Sequence, residues 1–358
     1  MEGQMKNRYK IFSMGIVGFT CLLILGCYFF QSYSFAPFTS STLPLKEKWS
    51  RNLRDNITEI SGTEDGRFIF ARTTNTVYAL ETNTGDVKWS FSLTPQVEMS
   101  PPIVANDKIY VADSNTLWAL NLENGQPTWK QPLLEPRGWV TDATTKAVLV
   151  NQISTDIRAY DAATGHLLWS VDVGAGPIHA YIDDNLVYVP DYGIKAINLL
   201  TGETVWSKGT AVIGESGYKN GVIYFTSEDN IVTFDTRQQK EIWRKTFSSN
   251  GFRKFKISDN IVFVTDADYL YAFNILNGNL MWKEALEQPE NPSIIEGRVY
   301  VTEGFNRVIQ AFDIETGKNL GSLRISLPKL LITENQDVAA VGDMLLVSKG
   351  KKLFAYQK

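Results

Sequence analysis

The chain has 358 residues, with 35 basic against 39 acidic side chains, a formal net charge of −4, 44% hydrophobic residues and 12% aromatic ones. That mildly acidic balance argues against the basic footprint of a nucleic-acid binder and against a polybasic membrane patch. Both cysteines, Cys21 and Cys27, fall near the N-terminus, so the rest of the chain holds neither a disulfide nor a thiolate metal site.

Residues 1–10 read as a short cytoplasmic leader with Lys6, Arg8 and Lys10, and residues 11–30 form an uncharged apolar run. Such a run has about the ~20 residues that a helix needs to cross a bilayer. The next basic residue is Lys46, so the positive-inside rule puts the main body on the extracytoplasmic side, periplasmic or at the cell surface. Three fates of this segment stay open. It is a retained transmembrane anchor, or a lipoprotein signal in which Leu23-Ile24-Leu25-Gly26-Cys27 resembles a lipobox and Cys27 is the lipidation candidate, or a signal cut after Ser34. Residues 31–45, rich in Ser, Thr and Pro, read as a flexible tether.

From Lys46 onward a phrase repeats. It runs Val77–Trp89, Leu117–Trp129, Ile157–Trp169, Ile194–Trp206, Ile231–Trp243, Leu270–Trp282 and Ile309–Gly321, with a partial copy from Leu353 to the end. Each copy joins an alternating strand to a second strand through Asp or Asn, Thr and Gly, the chemistry of a tight hairpin turn. Two further strands fit between successive copies, for example 100–104 with 108–112 and 252–257 with 260–265. Four short strands recurring about every 40 residues predict a β-propeller. Residues 46–50 look like an outer strand with no partner before them, and Trp49 precedes Trp89 by the same step that separates Trp89, Trp129 and Trp169. An all-β, eight-bladed propeller over 46–358 follows, its last blade completed by the first strand, which leaves no unpaired sheet edge at the joint.

The phrase A-x-D-x-x-T-G-x-x-x-W resembles the tryptophan-docking motif of quinoprotein-type (PQQ-like) β-propellers. The resemblance implies that Trp49, Trp89, Trp129, Trp169, Trp206, Trp243 and Trp282 wedge between blades, each over a small residue such as Ala79 or Ala159, and give the indole N–H to backbone. Two copies depart from it: Thr233 and Gln238-Gln239 replace Ala and Thr-Gly in the fifth, and Gly321 replaces tryptophan in the seventh. Such departures read as degeneracy that a ring tolerates, or as a poorly docked blade open to a partner.

Within that group the chain resembles the BamB family of outer-membrane β-barrel assembly lipoproteins. The resemblance implies a non-catalytic, monomeric scaffold that binds another extracytoplasmic or membrane protein, with no cofactor. Quinoprotein dehydrogenases, which hold pyrroloquinoline quinone and calcium, use a vicinal disulfide that this sequence lacks. A small-ligand binder of that kind and a propeller that senses envelope polysaccharide are the alternatives. His166 and His179 stand alone and form no metal pair or triad. Asp113, Asp191, Glu228, Asp229, Asp266, Asp268 and Glu303 recur between second and third strands and read as solvated turn carboxylates without calcium-loop spacing. The loops leading into the innermost strands place Arg137, Trp139, Phe252 and Arg253 as candidate partner contacts, an aromatic beside arginine being typical of an interface hot spot.

Overall fold

A computed structural model describes residues 39–41, 43–94, 101–134, 138–152, 156–174, 179–190, 192–209, 214–227, 229–246, 251, 254–304, 308–325 and 338–357. The chain divides into two compact units. The smaller, Met1–Ser40 with Ile325–Leu327, lies almost wholly outside the described residues, and with it the expected span 11–30 and Cys27. Among the described residues no helix is long and apolar enough to cross a membrane.

The larger unit, Ser41–Arg324 with Pro328–Lys358, is built from eight antiparallel sheets, seven of them with a run of four strands in chain order. Blade one is Ile57–Gly62, Phe68–Thr73, Thr76–Glu81 and Val87–Ser92, and blades two to seven repeat that order through Asn319–Ile325. Blade eight takes Val338–Val341, Met344–Lys349 and Lys352–Gln357 from the end of the chain and Lys46–Asn52 from its beginning. The register there pairs Trp49 with Ala355. The next backbone bonds continue the closure, Leu53 N–H to Lys351 O at 2.8 Å and Ile57 N–H to Gly350 O at 2.8 Å. Ile103–Ala105 and Lys254–Ile257 are the innermost strands of blades two and six, while residues 100, 252 and 253 of the expected strands lie outside the described residues.

Strand alternation explains how eight such sheets form a ring. The second and third strands are buried on both faces, so one face of each sheet packs on the preceding blade and the other on the following one. Phe70, Val77 and Ala79 of blade one thus meet Ile109 and Val111 of blade two, while Leu53, Ile60 and Ile69 meet Met344, Leu346 and Ala355 of blade eight. Innermost strands also stitch neighbours together. Asp142 accepts the N–H of Ile182 at 2.8 Å, Tyr181 meets Ser216 at 2.9 Å, and Tyr218 donates to Asp183 at 2.6 Å. Arg72, buried between blades one and two, donates to Ala112 O at 2.6 Å, and burial pulls its guanidinium down to about 10 against the pull of Glu59 and Asp113.

The tryptophans seal the seams, and the acceptor lies in the next blade. Trp49, Trp89, Trp129, Trp169, Trp243 and Trp282 donate their indole N–H to the carbonyls of Thr82, Leu122, Ala162, Leu199, Ile275 and Ile314 at 2.8–3.1 Å. Alanine is the cross-strand partner in the same hairpin, as Ala79 is to Trp89 and Ala159 to Trp169. Room for the ring comes from the turn glycine of the following blade. A Cβ on Gly125 would fall 2.5 Å from Trp89, and one on Gly165 would fall 2.6 Å from Trp129. These glycines also hold φ near +70°, so the position is restricted twice over.

Blade five breaks this pattern at a predictable place. Gln239, at φ 52°, occupies the turn position that glycine holds elsewhere, on the turn that Trp206 faces. Trp206 still packs between Tyr188 and Phe234, with ring centroids 6.0 and 6.1 Å away, but among the described residues its indole N–H has no acceptor. Removing a buried docking ring, as in Trp169→Ala, is expected to cost about 3–5 kcal/mol in chemical unfolding. Trp206→Ala should cost about 1 kcal/mol less, the worth of the missing hydrogen bond. Gln239→Gly should stabilise by about 1 kcal/mol, by relieving the left-handed backbone and admitting the indole, with a blue shift of tryptophan emission. Unchanged emission and stability in Gln239→Gly would count against this account.

Candidate docking surface

A ring of this kind offers two faces and a rim. Loops into the innermost strands and the turns between second and third strands share one face. Trp139 stands there, half-buried near the start of Gly138–Ala143 and paired with Asn151. Arg137, Phe252, Arg253, Asp191 and Glu228 lie outside the described residues, so the structure does not bring Trp139 together with the other candidates.

The acidic turns on this face are not solvated as a group, which corrects the sequence reading. Asp113 and Asp266 are 2% and 1% exposed. Asp113 accepts the N–H groups of Asn115, Thr116 and Thr94 and the indole of Trp118, all at 2.9–3.2 Å. Asp266 accepts from Asp268 N, Tyr269 N and the Tyr271 hydroxyl at 2.7–2.8 Å. Their lone pairs are spent on closing turns, which is how a buried carboxylate avoids an uncompensated charge. Among the described residues no group of three or more His, Cys, Asp or Glu is placed to hold a metal ion. His179 is exposed, and His166 lies in an exposed turn.

The opposite face carries the turns between third and fourth strands, most built alike, with Glu81 in place of Asp or Asn in blade one. The side chain of the Asp or Asn that ends the third strand accepts the N–H groups two and three residues on, as Asn198 does from Leu200 and Thr201 and Asn274 from Leu276 and Asn277. The first of those two residues is pushed to the tip. Blades one, two and seven place Asn83, Glu123 and Glu315 there, all exposed. Blades four and six place Leu200 and Leu276, exposed by 51% and 79%. The adjoining outer strands continue the apolar character with Val205, Ile242, Leu280 and Met281, all exposed. Blades four to six therefore bear, in one arc, most of the uncovered aliphatic side chains of this face, mixed with Arg237, Lys240 and Glu241, while Leu167 and Val87 are exposed on the outer strands of blades three and one. Clustered exposed apolar groups with a charged surround mark interaction surfaces, whereas isolated ones are ordinary. No candidate residue from sequence fell in this arc. The available signal was the identity of the tip residue, which varies while the turn frame stays fixed.

The turn frame itself is charge-sensitive. The Thr164 hydroxyl and N–H hold the Asp161 carboxyl below its ordinary value of 3.8, and the Thr316 hydroxyl and N–H do the same for Asp313. A depressed folded-state pKa contributes stability that is present above 3.8 and lost as pH falls through the lower folded value. Thermal unfolding followed from pH 6 downward should show this loss, and the double variant Asp161→Asn, Asp313→Asn should flatten the acid limb.

Comparison with known proteins adds a lineage to this geometry. A family model described as outer membrane protein assembly factor BamB matches in four overlapping passes, residues 46–148, 124–220, 190–293 and 227–358. The outer membrane protein assembly factor BamB of Moranella endobia is 25% identical over 273 residues, which cover 66% of this chain and 69% of the relative. Tetrathionate hydrolase of Acidithiobacillus ferrooxidans is 29% identical over 200 residues, but these cover 46% of this chain and 40% of that enzyme. The crystal structure of BamB from Moraxella catarrhalis superposes with a TM-score of 0.69 at 17% identity, covering 88% of this chain and 98% of that one, which establishes the fold.

Proposed function

Because this chain belongs to the BamB family of PQQ-like β-propellers across residues 46–358, we propose that it is a non-catalytic scaffold that docks another protein of the cell envelope. The reading places the propeller on the extracytoplasmic side of a membrane, tethered through its N-terminal residues, in outer-membrane β-barrel assembly or a related envelope role. The observation that carries it is the aliphatic arc on blades four to six. A sheet ring with six seams locked by indole hydrogen bonds has little freedom to reshape, so a partner must fit the surface as it stands. Leu200 and Leu276 project furthest and are the anchors of that contact. Turn frames on either side hold them rigidly, which lowers the ordering cost on binding.

The hydrolase relative supplies the competing reading. Support for the scaffold over it comes from the fate of the acidic side chains, since Asp113, Asp183 and Asp266 are engaged in closing turns or bridging blades.

Capture of the full chain from membranes of its native host should recover a component of the barrel-assembly apparatus. Leu200→Asp with Leu276→Asp should lower that recovery at least tenfold while leaving the circular dichroism and unfolding midpoint unchanged. Recovery unaffected by the pair would remove the arc from the interface, and tetrathionate turnover by the purified protein would overturn the scaffold reading.

A further inference from the structure

The turns between third and fourth strands differ in charge from blade to blade. In blade five Asp235 accepts the N–H groups of Arg237 and Gln238 at 2.9 and 2.8 Å, the same frame that presents Leu200 in blade four and Leu276 in blade six. Blades four, five and six therefore show Leu200, Arg237 and Leu276 as consecutive tips, all exposed. Lys240 stands opposite Asp235 at the start of the next strand and is exposed as well.

The chain does not neutralise these two cations. On blades one, two and eight cations and acids are matched, Arg51 with Asp86, Arg67 with Asp65 and Glu123, and Lys88 with Glu123. In blade five the nearby acids are already engaged, Glu241 by Arg244 at 2.7 Å and Asp235 by its own turn. Among the described residues neither the Arg237 guanidinium nor the Lys240 ammonium makes an ion pair. The guanidinium is nonetheless placed. A Cβ on Gly221 would fall 3.1 Å from its Nε, so it lies against the turn between the first and second strands of the same blade. A side chain held in this way loses less freedom on binding.

An unpaired arginine with an exposed leucine on each neighbouring blade has mixed chemistry. Arginine takes an oxyanion through two parallel N–H groups, and apolar contacts around the pair shut out water and strengthen it. A carboxylate or a phosphate would serve the guanidinium equally. The apolar surface separates them. Val205, Ile242, Leu280 and Met281 lie on the outer strands, so the uncovered surface turns from the tips onto the rim. A flat lipid surface would meet the tips and leave the rim bare, whereas a protein segment can follow both.

We propose that the surface over blades four to six receives an acidic segment of the partner protein, with a carboxylate against Arg237 and Lys240 and aliphatic side chains against Leu200 and Leu276. This rests on the scaffold reading above and names the chemistry of its partner.

Zero-length cross-linking tests it. The full chain captured from membranes of its native host is treated with a water-soluble carbodiimide, which activates a carboxylate and departs as urea when a touching lysine amine forms the amide. Lys240 should be joined to an Asp or Glu of the partner, in a segment that also carries aliphatic residues. Lys240→Arg should abolish this product without lowering recovery. Arg237→Glu with Lys240→Glu should lower recovery about tenfold with the unfolding midpoint unchanged, and Arg237→Lys should keep most of it. If Leu200→Asp with Leu276→Asp lowers recovery and the charge reversal does not, the proposal is overturned while the docking surface stands. If neither pair lowers it, both fall. A product joining two copies of this chain, or a charge reversal that weakens binding to phosphatidylglycerol vesicles and spares recovery, would overturn the proposal by giving the site to a second copy or to lipid.

Discussion

The ring stands on a contact made across a seam, an indole N–H held by a carbonyl in the next blade's turn. A tryptophan contributes a large apolar face and one donor that must be satisfied when buried. Both needs are met by the turn alone: its carbonyl takes the proton, and its glycine leaves space for the ring. One five-residue turn thereby closes its own hairpin and locks the blade before it. The repeat keeps Asp or Asn, Gly and Trp in most copies because those three residues serve two blades at once, and it is free at the tip because the tip serves neither.

That division explains what the sequence made legible. The eight-blade count and the terminal-strand closure follow from the repeat, and the observed register agrees, down to Trp49 opposite Ala355. The direction of the lock was not legible, because spacing places tryptophan relative to its own alanine and says nothing of which carbonyl it reaches. Likewise Asp113 and Asp266 look from sequence like any turn acid, and only the third dimension shows them buried under Trp118 and Tyr271. The aliphatic arc was hidden for a related reason. Leu200 and Leu276 carry no signal of exposure in the sequence, and it is the turn frame that turns them outward.

The two irregular copies, alike in sequence as departures from consensus, differ physically. Gln239 in blade five keeps the left-handed turn but carries a side chain where other turns have glycine, and among the described residues that seam lacks the indole hydrogen bond while it keeps its aromatic packing. Gly321 in blade seven accompanies a turn that the topology removes, so nothing is lost that was available to be gained. A consensus scores both as mismatches. Only the position of the receiving turn separates a weakened lock from a site without one.

A scaffold gains from this construction in a specific way. Because each seam depends on two adjacent blades and no others, a tip residue can change without altering any lock, and three consecutive blades can acquire an apolar surface while the fold stays fixed. Closing a propeller by its first strand necessarily deletes one turn, and with it one docking site, so a ring sealed in this manner must have one seam of different chemistry. In this chain that seam lies where the N-terminal segment enters, next to Leu45 and Tyr300. The other seven seams each keep a tryptophan, six of them with the indole hydrogen bond to the next blade made.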